Sequence, residues 1–405
     1  MDGINLANTG FVLLCTALVF FMTPGLAIFY AGFSREKNML NMLFQNFICL
    51  GVIAVLWAII GFSLAFGSDK LGIIGSLSSF SFLNNVTSEP NSLFSSSVPF
   101  ILIFGYQMMF AIITPALMTG SFVGRLRLGA YIKLISLWSL LVYVPVAHWV
   151  WGGGFLQKWG VVDFAGGLVV HTTAGISALA ICFYIGRRLK EDNTPVNLPL
   201  TAIGTGILWF GWFGFNAGGA YSPDKLAAQA FINTTLAASV AMLVWLGWQK
   251  VTTGKVNLSG LMVGSVAGLA TITPAAGYVE ASSALIIGAV GATLCFWAKN
   301  IQEYFKIDDS LEVWRAHGVG GISGSIMVGI FANGAVDSIN ASFSLFVKQT
   351  VAVAVIALYS WFITKLILKI IDRNKDIRVN EKTENEGLDS FELSESAYHL
   401  NDKSK

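Results

Sequence analysis

Two short stretches of this 405-residue chain carry the same chemical group at the same spacing. One reads His171-Thr-Thr-Ala-Gly175-Ile176-Ser177, the other His317-Gly-Val-Gly-Gly321-Ile322-Ser323. Both are H-x-x-x-G-I-S, set in runs with almost no charge. The chain has four histidines, at 148, 171, 317 and 399. Recurrence of so scarce a residue counts for more than the common Gly, Ile and Ser around it. A neutral imidazole offers one donor and one acceptor nitrogen, and two rings sharing a hydrogen bond hold complementary tautomers. Such a pair can accept a proton from an ammonium ion or hydrogen-bond an amine. It cannot replace the full hydration shell of a bare metal cation. His148 lies near the end of an apolar run, where interfacial placement is ordinary, and His399 lies in a polar tail.

Aromatic and acidic residues form a second constellation. Trp151 follows His148-Trp149-Val150 and precedes three glycines. Taken alone it belongs to the interfacial aromatic belt; the functional alternative is a cation–π wall. Phe110, Trp212 and Phe215, taken singly, are packing residues before they are gates. Asp163 stands directly before Phe164-Ala165-Gly166-Gly167. It is best read as a helix N-cap, with an added negative potential near a cation entrance.

The elements that position these groups follow from composition. Hydrophobic residues make up 55% of the chain and charged ones 12%, and mean hydropathy is +0.67. Soluble domains carry roughly 25% charged residues, so the sequence predicts an all-α integral membrane protein. A span needs about 20 apolar residues. Runs of that kind occur near 8–32, 39–66, 98–122, 130–150, 164–186, 198–219, 226–249, 257–276, 279–298, 315–332 and 343–371, which predicts eleven transmembrane helices. The Lys and Arg bias puts loops such as those holding Arg35, Arg125, Arg187 and Lys250 in the cytoplasm, the N-terminus outside, and the C-terminus inside. The two histidine motifs lie five spans apart. Halves of five spans have opposite orientation, so the pattern predicts an inverted 5+5 repeat, about 1–186 and 198–332, with the site between the halves. The helix 343–371 completes a transmembrane domain 1–371.

Residues 372–405 turn polar and read either as a solvated end or as a cytoplasmic docking or regulatory segment. Lys369, Arg373, Lys375 and Arg378 agree with a cytoplasmic tail. The first apolar run is too long for a cleaved signal core, and Asp2 precedes it instead of a basic region. The net charge of +2 points to no nucleic-acid partner. Cys15, Cys49, Cys182 and Cys295 lie in apolar runs without metal-like spacing, so no metal or cofactor is expected. An enzyme reading finds no nucleophile–base set outside the spans. A water or glycerol channel would carry paired Asn-Pro-Ala motifs. A sensor that signals through its tail is the remaining rival, although no kinase or cyclase segment follows the spans.

Together these motifs resemble the Amt/Mep/Rh ammonium transporters, in particular the bacterial and archaeal Amt branch. The stretches that carry the resemblance run from Thr23-Pro-Gly-Leu-Ala-Ile-Phe-Tyr-Ala-Gly32 to the tail. They include Asp163-Phe-Ala-Gly-Gly-Leu-Val-Val-His171, Trp209-Phe-Gly-Trp-Phe-Gly-Phe-Asn-Ala-Gly218, Thr273-Pro-Ala-Ala-Gly277 and His317-Gly-Val-Gly-Gly321.

The resemblance implies a homotrimer in the cell membrane, with one pore per subunit. Ammonium or methylammonium would be the substrate, and a PII-family cytosolic regulator would act at the tail and cytoplasmic loops. It assigns Trp151 to the aromatic wall of an outer ammonium site, shaped by Asp163. Phe110 matches a gate phenyl that also faces that site, Phe215 the second gate phenyl, and His171 with His317 the twin-histidine pair of the pore.

Two positions depart from the family pattern. Gly219 stands where relatives often carry a serine whose hydroxyl contacts the outer ammonium. A lost hydrogen bond is worth on the order of 1 kcal/mol, so weaker recruitment is expected. In the tail, Glu386-Gly387-Leu388-Asp389 and Glu395-Ser396-Ala397-Tyr398 match the family motif, with Leu393-Ser394 replacing a His-Gly between them.

Overall fold

The computed structural model describes residues 3–190, 194–374 and 377–398; His399 and Lys375 lie outside the described residues. The chain is predominantly helical. Its principal helices are α1 (Leu6–Phe33), α2 (39–66), α3 (Phe100–Leu117), α4 (128–151), α5 (167–185), α6 (Leu198–Ala217), α7 (Lys225–Thr253), α8 (Leu258–Ile272), α9 (Ala281–Trp297), α10 (314–331) and α11 (Phe343–Ile371). Among the described residues, 9 helices are long and apolar enough to cross a membrane, and α8 is shorter. The run 257–276 is apolar throughout, but its helix stops at Ile272 because Thr273-Pro274 opens a series of turns.

Short polar side chains start several of these helices. Asn5, Asn197, Asp224, Asn257 and Ser342 each accept a backbone N–H two or three residues on, which satisfies donors that the first turn leaves orphaned. Large apolar residues such as Leu13, Phe20, Leu358 and Phe362 point outward and are exposed. A bilayer accepts that surface, and the interior is held by close packing and interhelical hydrogen bonds. Helices α1 and α6 touch along much of their length: a β-carbon on Gly204 would lie 2.4 Å from the backbone nitrogen of Phe29. Within the bundle, Asn216 donates to Thr234 Oγ1 at 2.8 Å, and Trp138 Nε1 donates to Ser177 Oγ at 2.8 Å. Thr364 of α11 donates to the same Ser177 hydroxyl at 2.9 Å, which ties that helix to α5.

At one end of the bundle, two small antiparallel ribbons fill the segment between α2 and α3. His148 stands near the end of α4. It is fully buried, its Nδ1 2.8 Å from the Ala65 carbonyl and its Nε2 2.9 Å from Asp69 Oδ1. Lys158 Nζ approaches the other Asp69 oxygen at 2.5 Å. The Lys158 and His148 hydrogen bonds hold the Asp69 carboxyl down at about 2. At the opposite end, residues 377–398 pack on the loops between the helices. Arg127 N–H donates to the Ile377 carbonyl at 3.1 Å and Val379 N–H to Arg125 O at 2.9 Å. Asp389 accepts from the N–H groups of Leu40 and Asn41 at 2.9 and 2.8 Å, which caps the start of α2.

Candidate functional site

The two histidines predicted to act together meet in the middle of the bundle. Each stands in a π-helical turn that opens its helix: Gly167–Thr172 for α5 and Trp314–Val319 for α10. In the first, the His171 N–H bonds the Gly166 carbonyl five residues back, at 3.0 Å. Such turns carry an extra residue per turn and recur at functional sites. The rings are nearly parallel, 20° apart with centroids 5.2 Å apart, and their Nδ1 atoms lie 3.2 Å from one another. One Nδ1 therefore carries the shared hydrogen and the other accepts it. His171 Nε2 is buried and has no partner.

The space beside the pair is apolar. Met22, Leu26, Phe29, Ile113, Leu117, Leu208 and Val266 line it together with the histidines, Val170, Trp212 and Phe215. It offers only about 10 Å³ to the centre of a water-sized molecule, roughly the room of a single water. Trp212 stacks on His171 at 5.4 Å and is itself fixed by a 2.8 Å hydrogen bond from its Nε1 to Thr273 Oγ1.

Above this lumen, Phe110 and Phe215 close on each other, with ring centroids 4.4 Å apart. The position of Phe215 is set by Tyr106, whose hydroxyl donates to the carbonyls of Gly214 and Phe215 at 3.0 Å. Phe110 meets Trp151 edge-on at 6.1 Å. These rings form the floor of a cavity of about 220 Å³ lined also by Gln107, Asp163, Phe164, Gly219 and Tyr221. Trp151 Nε1 donates to the Asp163 carbonyl at 2.8 Å. The Asp163 carboxylate accepts four backbone N–H groups: Gly166 and Gly167 on one oxygen, both at 2.8 Å, Leu168 at 2.7 Å and Val169 at 3.1 Å on the other. It is thus the N-terminal cap of α5, and it fixes the turn that presents His171. Gly219 lies on the cavity wall; a β-carbon there would sit 3.1 Å from the Phe164 carbonyl oxygen.

Every sequence-predicted site residue lies along this one axis. Trp151, Phe110, Asp163 and Gly219 border the 220 Å³ cavity, Phe110 and Phe215 stand between it and the lumen, and His171 and His317 lie within the lumen. Sequence reasoning missed Gln107 and Tyr221. Gln107 donates to the Tyr221 hydroxyl at 2.9 Å while its own carbonyl oxygen is buried without a partner. A signal existed: Gln107 is the one amide in the α3 run and stands three residues before Phe110, on the same helical face.

Comparison with known proteins bears on this geometry. A family model described as Ammonium Transporter Family matches residues 10–398. The ammonium transporter Amt1 of Archaeoglobus fulgidus is 41% identical over 400 residues, covering 96% of this chain and 99% of its own. An ammonium transporter of Aquifex aeolicus is 43% identical, covering 98% and 94%. Among solved structures, Candida albicans Mep2 superposes with a TM-score of 0.88 at 34% identity, covering 94% of this chain and 88% of that one. A structure described as a sensor Amt protein gives 0.89 at 29% identity, covering 96% and 98%. A family match across the chain, relatives of equal length and many apolar helices lead to one conclusion: this multi-pass membrane protein belongs to the ammonium transporter family and is not an enzyme.

Proposed function

We propose that this chain carries ammonium across the cell membrane by taking the ion's charge off before the lumen. Ammonium or methylammonium collects at the face of Trp151, with Asp163 holding that wall in place. It passes Phe110 and Phe215, whose rings must swing apart to admit it. It gives up its proton near His171, and neutral ammonia moves past His317. The observation that carries this reading is the 3.2 Å contact between two imidazole nitrogens in an otherwise apolar, single-file space.

The physical reason is desolvation. An isolated ion in a dry medium costs tens of kcal/mol by Born solvation, and a group that can neutralise does so instead. Ammonium is a weak acid and has that escape; potassium does not. Hydrogen bonds at the ring nitrogens replace part of what ammonia leaves behind in water. A proton crossing by a separate route would make transport electrogenic, and current after an ammonium jump on proteoliposomes reads that directly. The central test is methylammonium uptake by reconstituted His171→Ala and His317→Ala proteins. Wild-type uptake with potassium still excluded would overturn the role given to the pair.

The same reading takes α1–α11 as eleven spans, N-terminus outside and tail inside, with halves 1–186 and 198–332 inverted about the membrane plane. Its support is the matching π turn and histidine at the start of α5 and α10. Helix α11 then braces the halves, three chains assemble as a trimer, and residues 372–405 form a cytoplasmic regulatory tail that a PII-type protein engages together with the neighbouring loops. Co-purification of such a regulator with and without residues 372–405 tests that part. The likeness to a sensor Amt structure supports a second, signalling role, and flux measured in liposomes separates the two.

A further inference from the structure

Residues 161–166, which lead into α5, form neither helix nor strand, so their backbone groups must find partners elsewhere. Val162 finds both of its partners on one side chain. Gln349, fully buried on α11, accepts the Val162 N–H at 3.0 Å and donates to the Val162 carbonyl at 2.8 Å. Its other amide hydrogen goes to the carbonyl of Ser325 on α10, at 3.0 Å. An amide side chain has one acceptor oxygen and two donor hydrogens, and here the oxygen and both hydrogens are used. Gln349 thus pairs with Val162 as the backbone of a neighbouring strand would. Close packing fixes its own helix: a β-carbon on Gly329 of α10 would lie 2.4 Å from the Cα of Phe346, about one turn before Gln349.

Val162 directly precedes Asp163, whose carbonyl takes the Trp151 indole N–H at 2.8 Å. The peptide unit that carries this carbonyl is held on its other edge, where the Phe164 N–H donates to the Pro274 carbonyl at 3.1 Å. Gln349 holds the two peptide units before it. We propose that Gln349 is a positioning residue for the Trp151 wall: through Val162 it fixes the direction of the Asp163 carbonyl, and with it the plane of the indole. This rests on the reading that Trp151 collects ammonium. Gln349 itself touches no substrate.

Geometry explains why one side chain has this reach. A single hydrogen bond sets a distance, whereas two on one residue set an orientation. The Asp163 carboxylate needs no such help, because its four donors lie within six residues of it and travel with α5. The carbonyl has no comparable local support, and a turn of the chain at Val162 would swing it away from the indole. The Ser325 bond adds a second reference point. Ser325 stands eight residues after His317, roughly two turns along α10, so Gln349 registers the Trp151 side of the site against the helix that carries the second histidine.

The test uses full-length protein in oriented proteoliposomes. Gln349→Met is close in shape and loses all three bonds. Thr364→Val removes a different buried hydrogen bond between α11 and α5, the one to Ser177, and controls for bracing by α11 in general. In Gln349→Met the half-saturating methylammonium concentration should rise at least fivefold at the face onto which the 220 Å³ cavity opens. The maximal rate should stay within about twofold of wild type, which also certifies a folded protein. Thr364→Val should keep the wild-type half-saturation, and an equal rise there overturns the role given to Gln349. Gln349→Glu keeps an acceptor for the Val162 N–H without the amide hydrogens. It should raise half-saturation at least twofold, and it decides the matter if the methionine variant does not fold. A second measurement needs no ammonium. In protein with isotope-labelled indoles, the N–H signal lost in Trp151→Phe belongs to Trp151. That signal should move upfield in Gln349→Met, as a weakened hydrogen bond requires, and stay in place in Thr364→Val. An unmoved signal in Gln349→Met, or an equal shift in both, overturns the positioning role. A moved signal with wild-type half-saturation overturns instead the reading of Trp151 as the collecting wall, so the two failures are distinguishable.

Discussion

Gly175 and Gly318 meet backbone against backbone: a β-carbon built on Gly175 would lie 2.1 Å from the Cα of Gly318. The counterpart on the other helix is equally tight. A β-carbon on Gly321 would lie 2.7 Å from both the Gly167 carbonyl and the His171 β-carbon. Each glycine of the H-x-x-x-G motif is thus the socket that lets the opposite histidine approach. Without both, α5 and α10 could not come close enough for two imidazoles to share a hydrogen.

Gly175→Ala and Gly321→Ala are therefore expected to force the helices apart. Overpacking of this kind costs typically about 1–3 kcal/mol, at least comparable to the roughly 0.5–1.5 kcal/mol net worth of one hydrogen bond. Methylammonium uptake per folded protein should fall at least tenfold in either variant. Wild-type uptake from either would break the link between helix spacing and the histidine contact.

Asp163 should matter more through its four hydrogen bonds than through its charge. Asp163→Asn retains one acceptor oxygen, while Asp163→Ala leaves four buried N–H groups unpaired, each at a cost of about 1–3 kcal/mol before relaxation. Melting temperatures in detergent should rank wild type above Asn and Asn above Ala. Equal melting of Asn and Ala would mean that the capping geometry contributes nothing.

Gly219→Ser adds a hydroxyl to the wall of the cavity beside Trp151. A donor–acceptor contact worth about 1 kcal/mol corresponds to roughly a fivefold change in affinity. The half-saturating ammonium concentration at the face onto which that cavity opens should drop by about that factor. The gain is partly offset because the new β-carbon presses on the Phe164 carbonyl, 3.1 Å away. An increase in half-saturation would place the hydroxyl out of reach of the substrate.

Acid and base limbs of stability should separate by residue. Asp69 is held down at about 2 by Lys158 and His148, against roughly 3.9 in the unfolded chain. Its contribution is present above the unfolded value and is lost as pH falls from about 4 through 2. Asp309 runs the other way. Raised to about 7 by burial and by the Glu312 charge beside it, it contributes fully below about 4, and that contribution is lost as pH rises through 7. Asp69→Asn should flatten only the acid limb of a melting-temperature profile, and Asp309→Asn only the decline toward neutral pH.

Much of this architecture could be read from residue types. His171 and His317 stood out because histidine is scarce in apolar runs, and Asp163 because a carboxylate before two glycines is a helix start. What could not be read are contacts made between helices far apart in the chain. Gln107 reaches Tyr221, and Trp212 is pinned by Thr273, across spans that composition treats as interchangeable. The π turns under both histidines leave no mark in composition. The tail illustrates the same limit. Its polar residues suit solvent as well as they suit a docked strap; contacts made across the chain distinguish the two, such as the backbone pairing of Ile377 and Val379 with Arg127 and Arg125 and the Asp389 cap on α2.

The bond between the two Nδ1 atoms has an arithmetic consequence. Two neutral imidazoles own two ring hydrogens, and one of them is spent between the rings. The other must sit on one of the two remaining nitrogens, so those outer faces are always unlike: one offers a hydrogen and the other a lone pair. The pair is a small reversible compass needle, and sliding two protons turns it end for end without moving a single heavy atom.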